Sequence, residues 1–235
     1  MSLRVPAQIP PRLLWPCSAR ITLLVALAIL VPSFADPAFE KPTALSELGK
    51  GKFLVAHPDL PDPHFAETVV LLCEFGPDGA MGLVINRPTN VRLADALPNL
   101  PSLAGTPHRV FEGGPVRTDA LVLLFRTRDK ETTARRVFDD VAWGVDLGLL
   151  ERLTKASAST SAFRAYVGYA GWGPGQLERE LMGGSWVIVS GDAASIFERD
   201  AANLWADLLR HRAAPSTIRF PHAHRHTQER RQEGL

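Results

Sequence analysis

Short apolar runs rich in β-branched residues alternate with turn residues through the middle of the chain. Runs of this length, bounded by glycine and proline, predict buried strands rather than helices. The run 68–75 is apolar nearly throughout, so both faces of that strand should be covered. Gly76–Gly79 has the composition of a turn, and the run 80–86 predicts the second strand of a hairpin that ends at Pro88. We expect further strands at 52–57, 109–112, 120–125, 163–169 and 186–189.

Helical spacing is clearest near the C-terminal end of the chain. Apolar residues recur there with the period of one helix face, which predicts a helix packed on the sheet through Ala201, Leu204, Trp205, Leu208 and Leu209. A short helix is predicted between Asn90, as its N-cap, and Pro98. Another has Pro174 at its first position and ends at Gly183-Gly184. Because strands and helices interleave irregularly, the predicted fold is α+β in a single domain.

Residues 1–35 have the pattern of a secretory signal peptide. Three arginines precede a run, 21–31, that is apolar apart from Thr22, and small residues stand before a possible cleavage site after Ala35. A membrane-spanning helix needs about 20 apolar residues, so this run is short for an anchor. We therefore expect export, to the periplasm. An uncleaved anchor stays open, and a start codon assigned too far upstream would leave a cytoplasmic protein.

The remainder divides into a predicted domain, 36–212, and a basic tail rich in histidine and arginine, 213–235, that we expect to be disordered. The formal net charge is +1, but residues 36–209 carry 17 basic and 23 acidic side chains. Binding to nucleic acid depends on clustered cations, so an acidic domain argues against a nucleic-acid partner. The six arginines from position 210 onward could give a weak, salt-sensitive contact with an anionic membrane surface.

Three blocks of sequence, in this order, resemble the YqgE/AlgH family of bacterial proteins: residues 51–88, Phe111–Pro115 and Gly168–Trp186. The resemblance implies a single α+β domain with a curved, mixed β-sheet and packed helices. It implies no established enzymatic activity, and one branch of the family is named for an effect on alginate regulation. This chain departs from typical members in its leader and in the tail beyond the last helix.

These observations favour an exported, non-enzymatic binding, interaction or regulatory module whose partner is an unknown protein or small molecule. Two alternatives stay open. A small-molecule sensor or enzyme could use Glu74, Asn86 and Gln176, which requires the three side chains to converge on one pocket. A transcription-linked regulator, as the AlgH label suggests, requires a continuous basic face.

The candidate ligand or partner surface consists of polar, glycine and aromatic residues within the three blocks: Asp62, Glu74, Asn86, Gly113, Gly114, Trp172, Gln176 and Glu178. Glu74 and Asn86 flank the predicted hairpin and could face a shared cleft, although turn capping and strand-end hydrogen bonding commonly explain such residues. Glu178 and Glu180 fall in the first turns of a helix, where carboxylates suit the helix dipole. Trp172 stands beside glycines, so we expect it to be half exposed.

The remaining chemistry of the sequence is unpromising for catalysis. Cys73 lies within an apolar strand, where a thiol is usually buried and inert. The glycines before the second helix lack both the P-loop and the dinucleotide-binding pattern. Histidines cluster with carboxylates at 57–64 and alternate at His222, His224 and His226, but neither segment forms a preorganised metal site. We expect no catalytic residue, no cofactor and no specific metal site.

Overall fold

The computed structural model describes residues 43–128, 134–156, 159 and 161–213. Their strands are β1 Lys52–Ala56, β2 Val69–Gly76, β3 Gly79–Val84, β4 Pro88–Arg92, β5 Arg109–Glu112, β6 Val116–Arg126, β7 Arg135–Phe138, β8 Val141–Gly144, β9 Phe163–Trp172 and β10 Trp186–Ser190. Their α-helices are α1 Thr43–Glu47, α2 Leu93–Ala96, α3 Leu147–Ala156, α4 Gln176–Met182, α5 Ala193–Phe197 and α6 Ala201–Ala213, and a 3-10 turn spans Pro101–Leu103. The predicted leader and the tail beyond 213 lie outside the described residues.

The strands form one sheet whose main path runs β10-β1-β2-β3-β9-β6-β8-β7. β5 runs parallel to β9 and also pairs with β4, so these two strands branch from the main path. The other described strand pairs are antiparallel. The predicted α+β fold with a mixed sheet is confirmed.

The alternation of side chains along β2 divides the core into two layers. Val69, Leu71 and Cys73 belong to the core beneath α5 and α6, which we call the α6 face. Val70 and Leu72 belong to the core beneath α1 and α4, the α4 face. Both faces of the apolar run are therefore covered, as its sequence predicted. A third core, under α2, α3 and the 3-10 turn, covers the sheet around β5, β6 and β9.

β9 is longer than predicted because its glycine-containing end stays in the sheet. Ala170–Trp172 pair with Ala80–Gly82 of β3, so the segment expected to be a loop is a strand. Two of the candidate glycines lie against this strand. A Cβ at Gly113 would stand 2.4 Å from the carbonyl oxygen of Gly168, and one at Gly114 would stand 2.4 Å from the β9 backbone. These positions lack side chains because two backbones meet there.

The last helix packs as its apolar stripe predicted. Leu204 and Leu208 of α6 are buried in the core of the α6 face. Trp205 donates its indole N–H to the carbonyl of Ala56 at 2.8 Å, which joins the helix to β1. Within the described ranges, no helix is both long and apolar enough to cross a lipid bilayer.

The prediction that Asn90 caps a helix is wrong. Asn90 lies in the edge strand β4, and α2 begins only at Leu93. The residue before the helix, Arg92, has no capping hydrogen bond and pairs instead with Asp95, at 2.7 Å. Pro88, predicted to end the hairpin strand, is instead the first residue of β4, and an edge strand tolerates a proline there.

The start of α4 also differs from its prediction. The helix begins at Gln176, so Pro174 precedes it, and the residue before the helix is Gly175 with a φ of 67°. A left-handed conformation of this kind favours glycine. The end of the helix at Gly183 is as predicted. The sequence pattern did not predict several elements: β4, β7, β8, α1, α3, α5 and the 3-10 turn.

Candidate functional site

A carboxylate near the end of β9 accepts hydrogen bonds from three side chains. The indole N–H groups of Trp172 and Trp186 both donate to Oε2 of Glu180, each at 2.9 Å. Gln176, one turn earlier on α4, donates its amide N–H to Oε1 of the same carboxylate at 2.9 Å. The amide oxygen of Gln176 in turn accepts the backbone N–H of Gly173 at 3.1 Å. This Glu180 cluster ties α4 to two strands, and its polar atoms bond to one another.

Aromatic rings close the same cluster on the α4 face. The ring of Phe65 stacks on Trp172 with centroids 6.2 Å apart and meets Trp186 edge-on at 5.5 Å. The two indoles are themselves in edge contact at 6.1 Å. Trp172 is only 2% exposed, so the prediction of a half-exposed ring is wrong. Its placement in a paired strand, not in a loop, is the reason.

The loop 57–68, which carries Phe65, is fastened through its backbone. Asn86 accepts the N–H of Val69 at 2.8 Å and donates to the carbonyl of Glu67 at 2.9 Å. Arg87 donates to two further carbonyls of the same loop, at 2.8 and 3.1 Å. Within the loop, Asp62 accepts the N–H of His64 at 2.8 Å, in a local turn. Asn86 and Asp62 therefore have structural partners.

Glu74 lies on the opposite side of the sheet from Gln176. The register of β2 shifts next to it, and Trp143, a core residue of the α6 face, donates its indole N–H to Glu74 Oε1 at 3.2 Å. Lys50 and Arg135 form ion pairs with the carboxylate at 3.6 and 3.8 Å. The Glu74 side chain is 34% exposed, so these pairs are accessible to water.

Glu74, Asn86 and Gln176 therefore do not converge. Glu74 is on the α6 face near the hairpin turn, and Asn86 is at the other end of the hairpin, beside the start of β2. Gln176 belongs to the Glu180 cluster on the α4 face. The shared cleft that a sensor or enzyme would need is not formed by these three side chains.

A separate pocket of about 370 Å³ lies between α1, the β2-β3 turn and α4. Its lining is apolar apart from one carboxylate: Leu45, Leu48, Phe75, Gly76, Pro77 and Glu178. Glu178 is partly buried and makes no hydrogen bond or ion pair with any other described residue. We call this cavity the α1-α4 pocket. Among the candidate residues, Glu178 alone lines it.

The described residues offer little for nucleophilic or metal chemistry. Cys73 is fully buried, and burial, with a smaller contribution from Glu74, raises the pKa of its thiol far above the usual range. The thiolate that attacks substrates or binds metals is therefore suppressed. No group of three histidine, cysteine, aspartate or glutamate side chains within the described ranges is placed to hold a metal ion. His222, His224 and His226 lie outside those ranges.

Comparison with known proteins confirms the resemblance seen in the sequence. The model of the AlgH-like family matches residues 53–215. A UPF0301 protein of Streptomyces avermitilis is 40% identical over 166 residues, which is 68% of this chain and 84% of that protein. A UPF0301 protein of Methylococcus capsulatus is 37% identical, over 67% of this chain and 87% of the relative.

Two solved structures share the fold. The solution structure of the AlgH protein from Pseudomonas aeruginosa matches with a TM-score of 0.59 and 32% identity, over 78% of this chain and 98% of that one. The crystal structure of protein DIP2367 from Corynebacterium diphtheriae matches with a TM-score of 0.60. At 22% identity, over 75% of this chain and 96% of the other, it supports the fold alone.

Proposed function

We propose that this chain, which belongs to the AlgH-like family, is an exported, non-catalytic interaction module that binds its partner at the α1-α4 pocket. The observation that carries the proposal is Glu178, a partly buried carboxylate without a partner among the described residues, on the wall of an otherwise apolar pocket. Because Glu178 keeps partial exposure, its carboxylate is hydrated in the free chain and available to pair with an incoming cation. A bound partner could pair a cation with Glu178 and place an apolar group against the other lining residues.

The bonding of the other candidate residues favours binding over catalysis. Asn86 and Gln176 use their amides to hold backbone or side-chain groups of this chain. Glu74 is paired with Lys50 and Arg135 and bonded to Trp143. A general acid or base must reach a substrate proton, and these groups are already occupied and lie apart.

The surface next to the pocket is suited to a protein partner. Met182 follows Glu178 by four residues on α4, so the two side chains lie on one side of the helix. Its exposed fraction is 59%, high for a large apolar side chain. Methionine adapts its shape to different partners, which is why it is frequent on binding surfaces.

Export rests on the leader pattern of residues 1–35. A domain that acts outside the cytosol does not contact the chromosome, and the excess of acidic residues in 36–209 disfavours nucleic acid in any compartment. Both arguments weigh against a direct role in transcription.

Site-directed photo-crosslinking in cells tests the binding face. A photo-reactive amino acid replaces Pro77, an exposed residue that lines the pocket, and in a control replaces Pro115, which is also exposed and lies between β5 and β6. We expect a discrete adduct at position 77 that Glu178→Lys abolishes, and none at position 115. Equal adducts at both positions, or an adduct indifferent to Glu178→Lys, would contradict the proposal.

Mass spectrometry of the protein from fractionated cells tests export separately. The proposal expects a chain in the periplasmic fraction that begins near Asp36. A chain with an intact Met1 in the cytoplasmic fraction would contradict export, whatever the crosslinks show.

A further inference from the structure

We infer that the partner of the α1-α4 pocket is an extended peptide segment with a large apolar side chain next to a lysine or arginine. This inference rests on the proposed function, since it names the chemistry of the partner at the same pocket. It depends on three features: the volume and lining of the pocket, the charge around it, and the apolar surface beyond it.

The volume and lining define an apolar anchor. About 370 Å³ is near the lower end of small-ligand pockets, which run from roughly 300 to 1,000 Å³. Leu45, Leu48 and Phe75 supply the apolar walls. A single large side chain such as leucine or phenylalanine, projecting from a backbone that stays outside, suits a small pocket that is open to solvent.

The negative charge around the pocket favours a partner that carries a cation. Glu178 on the wall and the neighbouring exposed acids Glu47 and Asp78 have no ion-pair partner among the described residues. Lys50 is paired with Glu74, and the guanidinium of Arg179 extends back towards Gly175 at the start of α4. The same acids would repel an anionic lipid surface, which disfavours a membrane as the occupant.

The apolar surface beyond the pocket favours a peptide over a small amine. Met182 continues the line of Glu178 along α4 and stays exposed. A peptide anchored in the pocket could cover this side chain with its next apolar residue, as extended segments do at grooves with more than one contact point. A small amine would fill the pocket and leave Met182 in water.

Fluorescence anisotropy with the full chain tests this partner chemistry. The probe is a labelled peptide, Gly-Ser-Leu-Phe-Lys-Arg-Ser-Gly. One control peptide has both basic residues replaced by glutamate, and another has Leu-Phe replaced by Ser-Ser. Phenethylamine is added as a competitor that carries a ring and a cation but no peptide backbone.

We expect the probe to bind more tightly than either control peptide, and Glu178→Gln to weaken it by about two- to fivefold, as loss of one partly screened charge pair does. The matched control is Glu151→Gln in α3, a glutamate whose side chain is 47% exposed and whose one ion pair with a described residue is to Lys155, at 4.0 Å. This control should leave binding unchanged.

Each alternative result overturns the inference in a recognisable way. Equal weakening by Glu178→Gln and Glu151→Gln would mean non-specific charge attraction. Full competition by phenethylamine at the probe's own concentration would mean a small-molecule site. Absence of peptide binding with a persistent crosslink at Pro77 would reject the peptide chemistry and keep the proposed function, whereas absence of both would reject both.

Discussion

Two glutamates on one short helix differ in almost every structural respect. Glu180 accepts hydrogen bonds from Trp172, Trp186 and Gln176, whereas Glu178, two residues earlier, makes none with any described residue. One carboxylate joins three elements of the fold, and the other faces an apolar pocket. Residue type and helix position therefore say little about role here. The hydrogen-bond partners of each carboxylate decide its role. We therefore expect substitution of Glu180 to lower stability and substitution of Glu178 to weaken binding.

The largest effect is expected at Glu180. Glu180→Ala removes the acceptor of two buried indole N–H groups, and since each unsatisfied buried donor costs about 1–3 kcal/mol, we expect a loss of roughly 3–5 kcal/mol in the free energy of unfolding. Glu178→Ala should change it by less than about 0.5 kcal/mol, like most surface substitutions. Urea denaturation measures both. Similar losses in the two variants would invalidate the distinction drawn between these glutamates.

The loop that supplies Phe65 gives the next effect. Asn86→Ala removes two hydrogen bonds and leaves the N–H of Val69 without its acceptor, so we expect a loss of about 1–3 kcal/mol. Asn90→Ala is the matched control, because Asn90 is exposed in β4 and should tolerate the change within about 0.5 kcal/mol. An equal response to the two substitutions in urea denaturation would show that Asn86 does not fasten the loop.

His108 contrasts with Glu180, because it is a buried polar side chain with an unbonded ring nitrogen. His108 is 3% exposed, its ring stacks on Phe163, and its Nε2 has no hydrogen-bond partner in the part of the chain that the structure describes. Burial lowers the pKa of His108 below its usual value. Because the unfolded chain takes up the proton more readily, stability should be complete above about pH 6.5 and fall as the pH drops below it.

Thermal unfolding between pH 4.5 and 7.5 measures this dependence. The fall on the acid side should be reduced in His108→Leu and unchanged in His64→Gln, which alters an exposed histidine of the loop. A wild-type profile that coincides with that of His108→Leu would rule out this histidine as the source.

The smallest effect is expected at Tyr166. Its hydroxyl is fully buried beside Arg164 but makes no hydrogen bond of regular geometry with a described residue, so most of the cost of removing it from water is not offset. Tyr166→Phe should leave the free energy of unfolding within about 0.5 kcal/mol of the parent or raise it slightly. A clear loss of stability would reveal a partner for the hydroxyl.

The sequence allowed seven of the described strands to be predicted, because each contains a short and largely apolar run next to turn residues: β1, β2, β3, β5, β6, β9 and β10. It did not reveal β7, whose residues Arg135–Phe138 are half charged, or the continuation of β9 to Trp172. Glycines there suggested a loop. Gly168 is needed where two backbones approach, whereas a Cβ at Gly171 would meet only the side chains of Tyr169 and Val116, at 3.4 Å or more. The helix α3 had a usable signal that was missed. Asp146 accepts the N–H groups of Gly148 and Leu149, each at 3.1 Å, as helix-capping aspartates do.

The candidate site was only partly predictable for a physical reason. Glu178 is among the predicted candidate residues, but the other residues of the pocket are apolar and most are distant from it in sequence. Leu45 and Leu48 lie outside the three blocks that resemble the family. Glu180 was explained by the helix dipole alone, although its spacing from Gln176 placed both on one side of a helix. Which carboxylate receives the indole N–H groups depends on the pairing of β9 and β10 with the rest of the sheet. Local patterns do not contain that information.

The fastening of loop 57–68 has a consequence for how this segment can diversify. Asn86 and Arg87 donate hydrogen bonds to backbone carbonyls of the loop, and every amino acid supplies such a carbonyl. Most side chains between His57 and Ala66 can therefore be exchanged without loss of these hydrogen bonds. Leu60 and Phe65 are exceptions, since both pack against the core of the α4 face and the Phe65 ring contacts the two indoles. A proline at position 69, just after the loop, would also weaken the attachment, because it has no N–H to offer Asn86. The loop should therefore tolerate substitutions at most of its positions, provided that its apolar contacts with the core and the N–H of residue 69 are retained.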